Sequence, residues 1–324
     1  MPSNPLGGVS STAALANNMG ASSGGVAVNT GSSFVPHRLQ VRLTLDQGSF
    51  AGGGNSKIID HLAMRVSVDK LGPPDFAKAS VTIFGMSLSE MEQLTTLAFE
   101  PFKTKRNYIN IYAGDDVTGL SEIFAGSITE AQGDLSGAPE TQFKINAEVG
   151  FWGRVTAQGP TVINGTQDVA SFIAEQAGKA ELTFTNEGVN AKIKDCVFNG
   201  SPINQARQAA EQVGADLVID DSEMILLPKN GNRQGDAVLL SPSSGMLGYP
   251  VISGDGIEVK TVFNPALRFA GLFVLESIVP KASGTWRAIK LSHKLSANDP
   301  SDGSWESQVT GYYPDLSGAV GKFI

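Results

Sequence analysis

The chain has 324 residues, 41% of them hydrophobic, so it can build more than one core, and its length points to two or three domains. A formal net charge of −8 argues against a nucleic-acid-binding surface, which needs clustered Lys and Arg to displace counterions. The single cysteine, Cys196, excludes an internal disulfide, and no run approaches the ~20 apolar residues of a spanning helix, so no membrane insertion is expected.

Residues 1–37 carry no charged side chain if His37 is neutral. They are mostly Gly, Ser, Ala and Asn, and cannot bury enough apolar surface to offset their own ordering entropy. Such an arm orders only by lying along a domain or a neighbouring chain, and docking it desolvates no ions. Leu6, Leu15, Val26 and Phe34 are its candidate contact residues. The absence of a basic n-region argues against a secretory signal, so assembly in a cytoplasm is the expectation.

Arg38–Leu45 alternates Leu39, Val41, Leu43 and Leu45, the pattern of a half-buried strand. A Gly-rich loop follows at Ser49–Ser56, then strands at His61–Lys70 and Ala79–Phe84. Ser87 with Glu90 three residues on reads as a capping box, opening a short helix with Leu88, Met91, Leu94 and Leu97 on one face. Asn107–Ala113 and Glu122–Thr129 are strands joined through Asp115-Asp116, and Phe143–Val149 is a sixth, ending near Phe151-Trp152. The spacing predicts a β-barrel or sandwich over 38–155.

After Gly159-Pro160 the composition shifts. Thr166 is the predicted cap of a helix bearing Val169, Phe172, Ile173 and Ala177, stopped at Gly178. Strands follow at Leu182–Thr185 and Val189–Val197. A second helix has Ser201 as N-cap, Pro202 at its first position and Gly214 past its end. Leu217–Asp220 and Met224–Leu227 form a hairpin, completing an α-β-β-α-β-β module over 156–232.

Gly, Pro and Ser crowd 228–256, a connector with one strand near Ala237–Leu240. Val262–Gly311 then reads as four strands: a turn-bearing lead-in at Phe263–Phe269, then Leu272–Val279, Thr285–Leu295 and Trp305–Thr310. Pro265 and Pro280 close off ladders, and Asn298–Gly303 is a long hairpin tip. This is a second β-barrel or sandwich, 233–316, followed by a tail at 317–324. The predicted fold is α+β and predominantly β: two β-domains flanking the small module, with the uncharged arm at 1–37.

Catalytic signals are poor. Gly20-Ala21-Ser22-Ser23-Gly24 matches a nucleophile elbow formally but lies in the low-complexity arm, without the strand and helix that elbow needs. His37, His61 and His293 fall in separate predicted strands without metal spacing, and His293 reads as a hydrogen-bonded structural residue. Asp115-Asp116 and Asp220-Asp221 sit at hairpin turns, where Asx-turn chemistry explains them better than acid–base work. Gly52-Gly53-Gly54 lacks the rest of a phosphate loop. Cys196 reads as a small buried hydrophobe. No catalytic, cofactor-binding or metal-ligating residue is nominated, and an enzyme is not expected. Trp152, Phe172, Trp286 and Trp305 are the structural core candidates.

Seven strings of residues carry a family resemblance. Phe84-Gly85-Met86-Ser87-Leu88 leading into Met91–Thr95, then Ala113–Asp116 and Phe124–Thr129, resemble the first barrel of tailed-phage baseplate or tail-tip hub proteins of the Mu-like type. Ser241–Pro250, Phe263-Asn264-Pro265 with Arg268-Phe269, Gly284-Thr285-Trp286 and Leu291–Leu295 are similar to the family's second half. The similarity covers about 38–312 and leaves the arm unmatched. It implies a homotrimer in which two barrels per chain give pseudo-sixfold symmetry, adapting a hexameric tail tube and distal tail protein to a trimeric central spike. It also implies a channel for the tape measure protein and for DNA in transit, in a virion tail assembled in the bacterial host cytoplasm. An acidic lumen would let DNA slide without sticking. The alternative is a cell-envelope module binding peptidoglycan or polysaccharide through residues 156–232.

Overall fold

The computed structural model describes residues 35–50, 53–73, 75–95, 106–137, 141–254 and 256–313. The predicted contact residues Leu6, Leu15, Val26 and Phe34 lie outside them, as do Leu97 and the glycine elbow.

The first third is seven strands and two short helices. These are β1 (His37–Thr44), β2 (Ser56–Ile59), β3 (Met64–Leu71), β4 (Lys78–Phe84), α1 (Leu88–Leu94), β5 (Tyr108–Asp115), β6 (Gly119–Asp134), β7 (Gln142–Glu148) and α2 (Phe151–Val155). Alternation decides which face is buried: Leu39, Val41 and Leu43 of β1 and Met64, Val66 and Val68 of β3 point into one core with Phe124 and Phe143. Two expectations fail here. The capping box does not form, because Ser87 makes no side-chain cap and Glu90 pairs instead with Lys57 of β2, a strand the sequence pattern does not predict. Leu88 is 62% exposed, since the two-turn helix meets β6 only through its Met91 and Leu94 face.

The middle third comprises β8 (Thr161–Asp168), α3 (Val169–Lys179), β9 (Thr183–Asn186), β10 (Lys192–Phe198), α4 (Pro202–Gln212), β11 (Ala215–Asp220) and β12 (Glu223–Pro228). The expected α-β-β-α-β-β order is present but preceded by β8, which pairs with β10. Thr166 therefore lies opposite Lys194 in a strand, and the cap of α3 is Asp168, whose carboxylate accepts from the Ser171 N–H at 2.9 Å. Gly165, at φ +84°, and a register shift at Asp195 make the stretch look like a turn while the strand runs on. The second helix is as read: Ser201 caps it, Pro202 starts it, and Gly214 at φ +67° leaves it. Phe172, Ile173, Ile203 and Ala206 interlock α3 and α4 over β9 and β11.

The last third is β13 (Val238–Leu240), β14 (Met246–Ser253), β15 (Gly256–Val262), β16 (Leu272–Leu275), β17 (Gly284–Ala297) and β18 (Trp305–Tyr312). Residues 263–269 form turns rather than a fourth strand, while the connector holds β14 and β15 follows directly after it. The alternation of β14 is hidden by a register shift between Leu247 and Val251, where Gly248 and Pro250 break the ladder.

One sheet runs through both β-regions in the order β14-β15-β18-β17-β3-β4-β7-β6-β5-β1-β2, with β16 joining β17 and β13 joining β16. The joint is β17. Its residues 284–287 pair with β16, and after a register irregularity near Ile289 its residues 290–297 pair with β3. β18 runs along the other edge of both halves. A fourteen-residue strand is long enough, at ~3.3 Å per residue, to serve two neighbours in succession. The sheet curls so that β1 returns against β17. The fold is α+β and predominantly β.

Candidate functional site

A cluster of buried charge sits where the two β-regions and the middle module meet. β3 alternates Met64, Val66, Val68 and then Lys70 on its inward face, so periodicity drives an ammonium into the interior. Lys70 is 6% exposed. Its Nζ donates to Asp220 Oδ1 at 2.7 Å and to Asp221 Oδ2 at 2.8 Å, both at the tip of the β11–β12 hairpin. Asp221 accepts the Ala125 N–H of β6 at 3.3 Å. Arg233, just after β12, forks onto Asp220 at 2.7 Å and Glu223 at 2.8 Å. Five charged side chains thus tie β3, β6, the hairpin and the following connector into one knot.

His293 of β17 borders the same cleft, of about 410 Å³. Its Nδ1 lies 2.7 Å from the Ser307 hydroxyl, which also accepts the Asn264 N–H at 3.1 Å. Burial, helped by the Lys70 charge, holds the imidazole down at about 3, so it is neutral. Burial raises the Asp221 carboxyl, and the adjoining Asp220 raises it further, to about 7. Burial acts against Asp220 as well, but Lys70 and Arg233 override it and keep its carboxylate ionised. Lys70 is likewise held protonated by its two carboxylates against the effect of burial. A lysine locked as an ammonium has no lone pair for Schiff-base chemistry, and the hydroxyl beside His293, that of Ser307, is fully buried and already accepts the Asn264 N–H. The arrangement holds parts together.

The core candidates do not converge on one site. Phe172 packs edge-tilted on Phe198 in the module, and Trp286 is buried in the last β-region with its indole N–H donating to the Ala282 carbonyl at 2.9 Å. Trp305 is half-buried, stacked on His37 at 4.3 Å and edge-on to Phe263. Trp152 is half-buried under Arg106, 5.0 Å from its ring centroid. His293 is the hydrogen-bonded structural residue that its strand position suggested, and Asp115 closes its turn by accepting from Val117 and Thr118. Asp220-Asp221 is the correction: Asp221, at φ +54°, does turn the hairpin, but both carboxylates are spent on Lys70 and Arg233. Cys196 is half-exposed rather than buried. The signal that was available for the cluster was Lys70, a cation at an inward position of an alternating strand.

Among the described residues no group of His, Cys, Asp and Glu is placed to hold a metal ion, and no helix is long and apolar enough to cross a membrane. A profile of the family described as baseplate hub gp41 matches residues 38–301. The chain belongs to that family. This hub-family chain is similar in fold to a tail protein of Neisseria meningitidis MC58, at 8% identity and TM-score 0.58 over 87% of this chain and 97% of that one. It is similar too to the 43 kDa tail protein of prophage MuSo2 from Shewanella oneidensis, at 8% identity and TM-score 0.57 over 85% and 97%. A third is the E. coli c3393 protein, a component of the type VI secretion system, at 10% identity and TM-score 0.52 over 78% and 74%. No curated protein matches the chain by sequence. The hub family is a structural one of the phage tail baseplate, so the chain's role is structural and at the tail tip.

Proposed function

We propose that this hub chain works as a homotrimer, in which the β-regions at 38–155 and 233–316 of three copies form a ring of six similar units around a channel. The observation that carries this reading is β17, one strand shared between two β-regions, which fixes their relative orientation within each chain. A rigid pair per chain is what lets three copies offer six similar surfaces to a hexameric tail tube while keeping threefold symmetry toward a spike. The buried knot at Lys70 fixes the third unit, 156–232, to the same frame. Distal tail protein and tube on one side, a central spike on the other, and tape measure protein and DNA passing through the channel are the proposed partners. The net charge of −8 supports transit without retention of DNA. Assembly in the host cytoplasm and residence in the virion tail complete the proposal.

Size-exclusion chromatography with light scattering, followed by electron cryo-microscopy of assembled tail tips, tests it. Three copies in a ring is the expected result. A monomer at all concentrations that is also missing from virions would sink the proposal.

A further inference from the structure

Among the described residues the outer strand β14 pairs with β15 and with no second strand. Four of its apolar side chains stand in the open: Leu247, Tyr249 (69% exposed), Val251 (58%) and Ile252. Edge strands of soluble proteins are commonly protected by lysine, by proline or by bulges. Here Pro250 and the register shift at 248–250 limit strand addition, yet residues 237–254 hold no charge at all. Only 1–37 offers a longer uncharged run.

The geometry also says where that other run begins. His37, the first residue of β1, stacks at 4.3 Å on Trp305, the first residue of β18. β18 neighbours β15, and β15 neighbours β14, so His37 enters the fold two strand spacings, ~10 Å, from the Met246 end of β14. A 34-residue segment reaches up to ~110 Å when extended, so length does not limit contact. Tethering at this range gives an effective concentration on the order of millimolar, which weak apolar contacts can exploit. Neither surface would strip water from an ion on docking.

We propose that residues 1–34 pack against β14 of their own chain, with apolar side chains of the arm covering Leu247, Tyr249, Val251 and Ile252. The C-terminal residues 314–324 fit less well, because they carry Asp315 and Lys322. The proposal stands apart from the oligomeric reading, since it concerns one chain.

Hydrogen exchange on the full chain, on a variant lacking residues 2–33 and on one lacking 314–324 tests it. Loss of the arm should speed exchange of the amides at 247–253 at least tenfold and leave β3 and β7 unchanged. As a second measurement on the full chain, Cys196→Ser with Val251→Cys is combined in turn with Leu6→Cys, Leu15→Cys, Val26→Cys and Phe34→Cys. At least one pair should oxidise within a single chain. Bonds formed only between chains, exchange that responds to the 314–324 deletion instead, or no bond together with unchanged exchange would each overturn the proposal.

Discussion

Strand β3 carries two cations on opposite faces, and each reaches a segment far along the chain. Lys70 points inward to Asp220 and Asp221, while Arg65 points outward to Asp299 at 2.5 Å and to the Ser301 hydroxyl at 2.7 Å. The two contacts look alike on paper. Arg65 pins the β17–β18 tip, whose Asp299 and Asp302 are already satisfied by Ser301 and Ser304 of their own turns. Those turns remain when Arg65 is removed, and Arg65 itself is half-exposed. Removing Lys70 leaves Asp221 with no cation and Asp220 with Arg233 alone, both largely buried. The partners each carboxylate keeps, more than distance, separate a fastening from an ornament.

The largest expected effect follows from that contrast. Lys70→Met should destabilise the fold by ~3–5 kcal/mol in urea unfolding, because Asp221 keeps no cation and Asp220 only Arg233. Replacing the whole group, Lys70→Met with Asp220→Asn and Asp221→Asn, should recover part of that loss. A single variant close to wild type would remove the distinction drawn between the two faces.

Trp286→Ala is expected to cost a similar ~3–5 kcal/mol, since a buried indole and its hydrogen bond to Ala282 are both lost. A change below ~0.5 kcal/mol would place Trp286 at the surface in solution.

The pH dependence gives a finer test. His293 is neutral when folded and titrates at about 3, below its ordinary 6.5, so the unfolded chain takes up its proton first. On its account stability falls as pH drops from about 6.5 toward 3, by up to ~1.4 kcal/mol per unit. Asp221 runs the other way. Its folded value of about 7 lies above the usual carboxylate range, so stability falls as pH rises from about 4 to 7. Across the shared window the slopes oppose, and the wild-type curve should be nearly flat. Asp221→Asn should uncover the His293 slope, with urea midpoints rising with pH between about 4 and 6.5. A flat curve in that variant would contradict the assignment.

The smallest effect is expected at Arg65→Ala, whose thermal midpoint should stay within error of wild type because Arg65 is half-exposed and Asp299 keeps the Ser301 N–H and hydroxyl. A clear loss would mean that the hairpin tip is held by Arg65 rather than by its own Asp–Ser turns.

Local rules made much of this protein legible from its residues. The alternation of β1 named its inward face, and Ser201, Pro202 and Gly214 bounded α4 because capping and backbone preference act within a few residues. Strings of turn and packing residues identified the hub family, which the match over 38–301 bears out. The alternation of β3 even left Lys70 on the buried face, without saying what would meet it.

Tertiary structure decided the rest. β8 hid behind Gly165 and β14 behind Gly248 and Pro250, since a residue that looks like a turn locally can sit in a strand when a partner completes the ladder. Glu90 left its expected cap for Lys57 because a charged partner across space outbids a neighbour along the chain. That β17 should serve two β-regions, and that Asp220 and Asp221 should meet a lysine 150 residues away, depended on long-range pairing. Periodicity reports which face of an element is buried, and only the assembled fold determines what it is buried against.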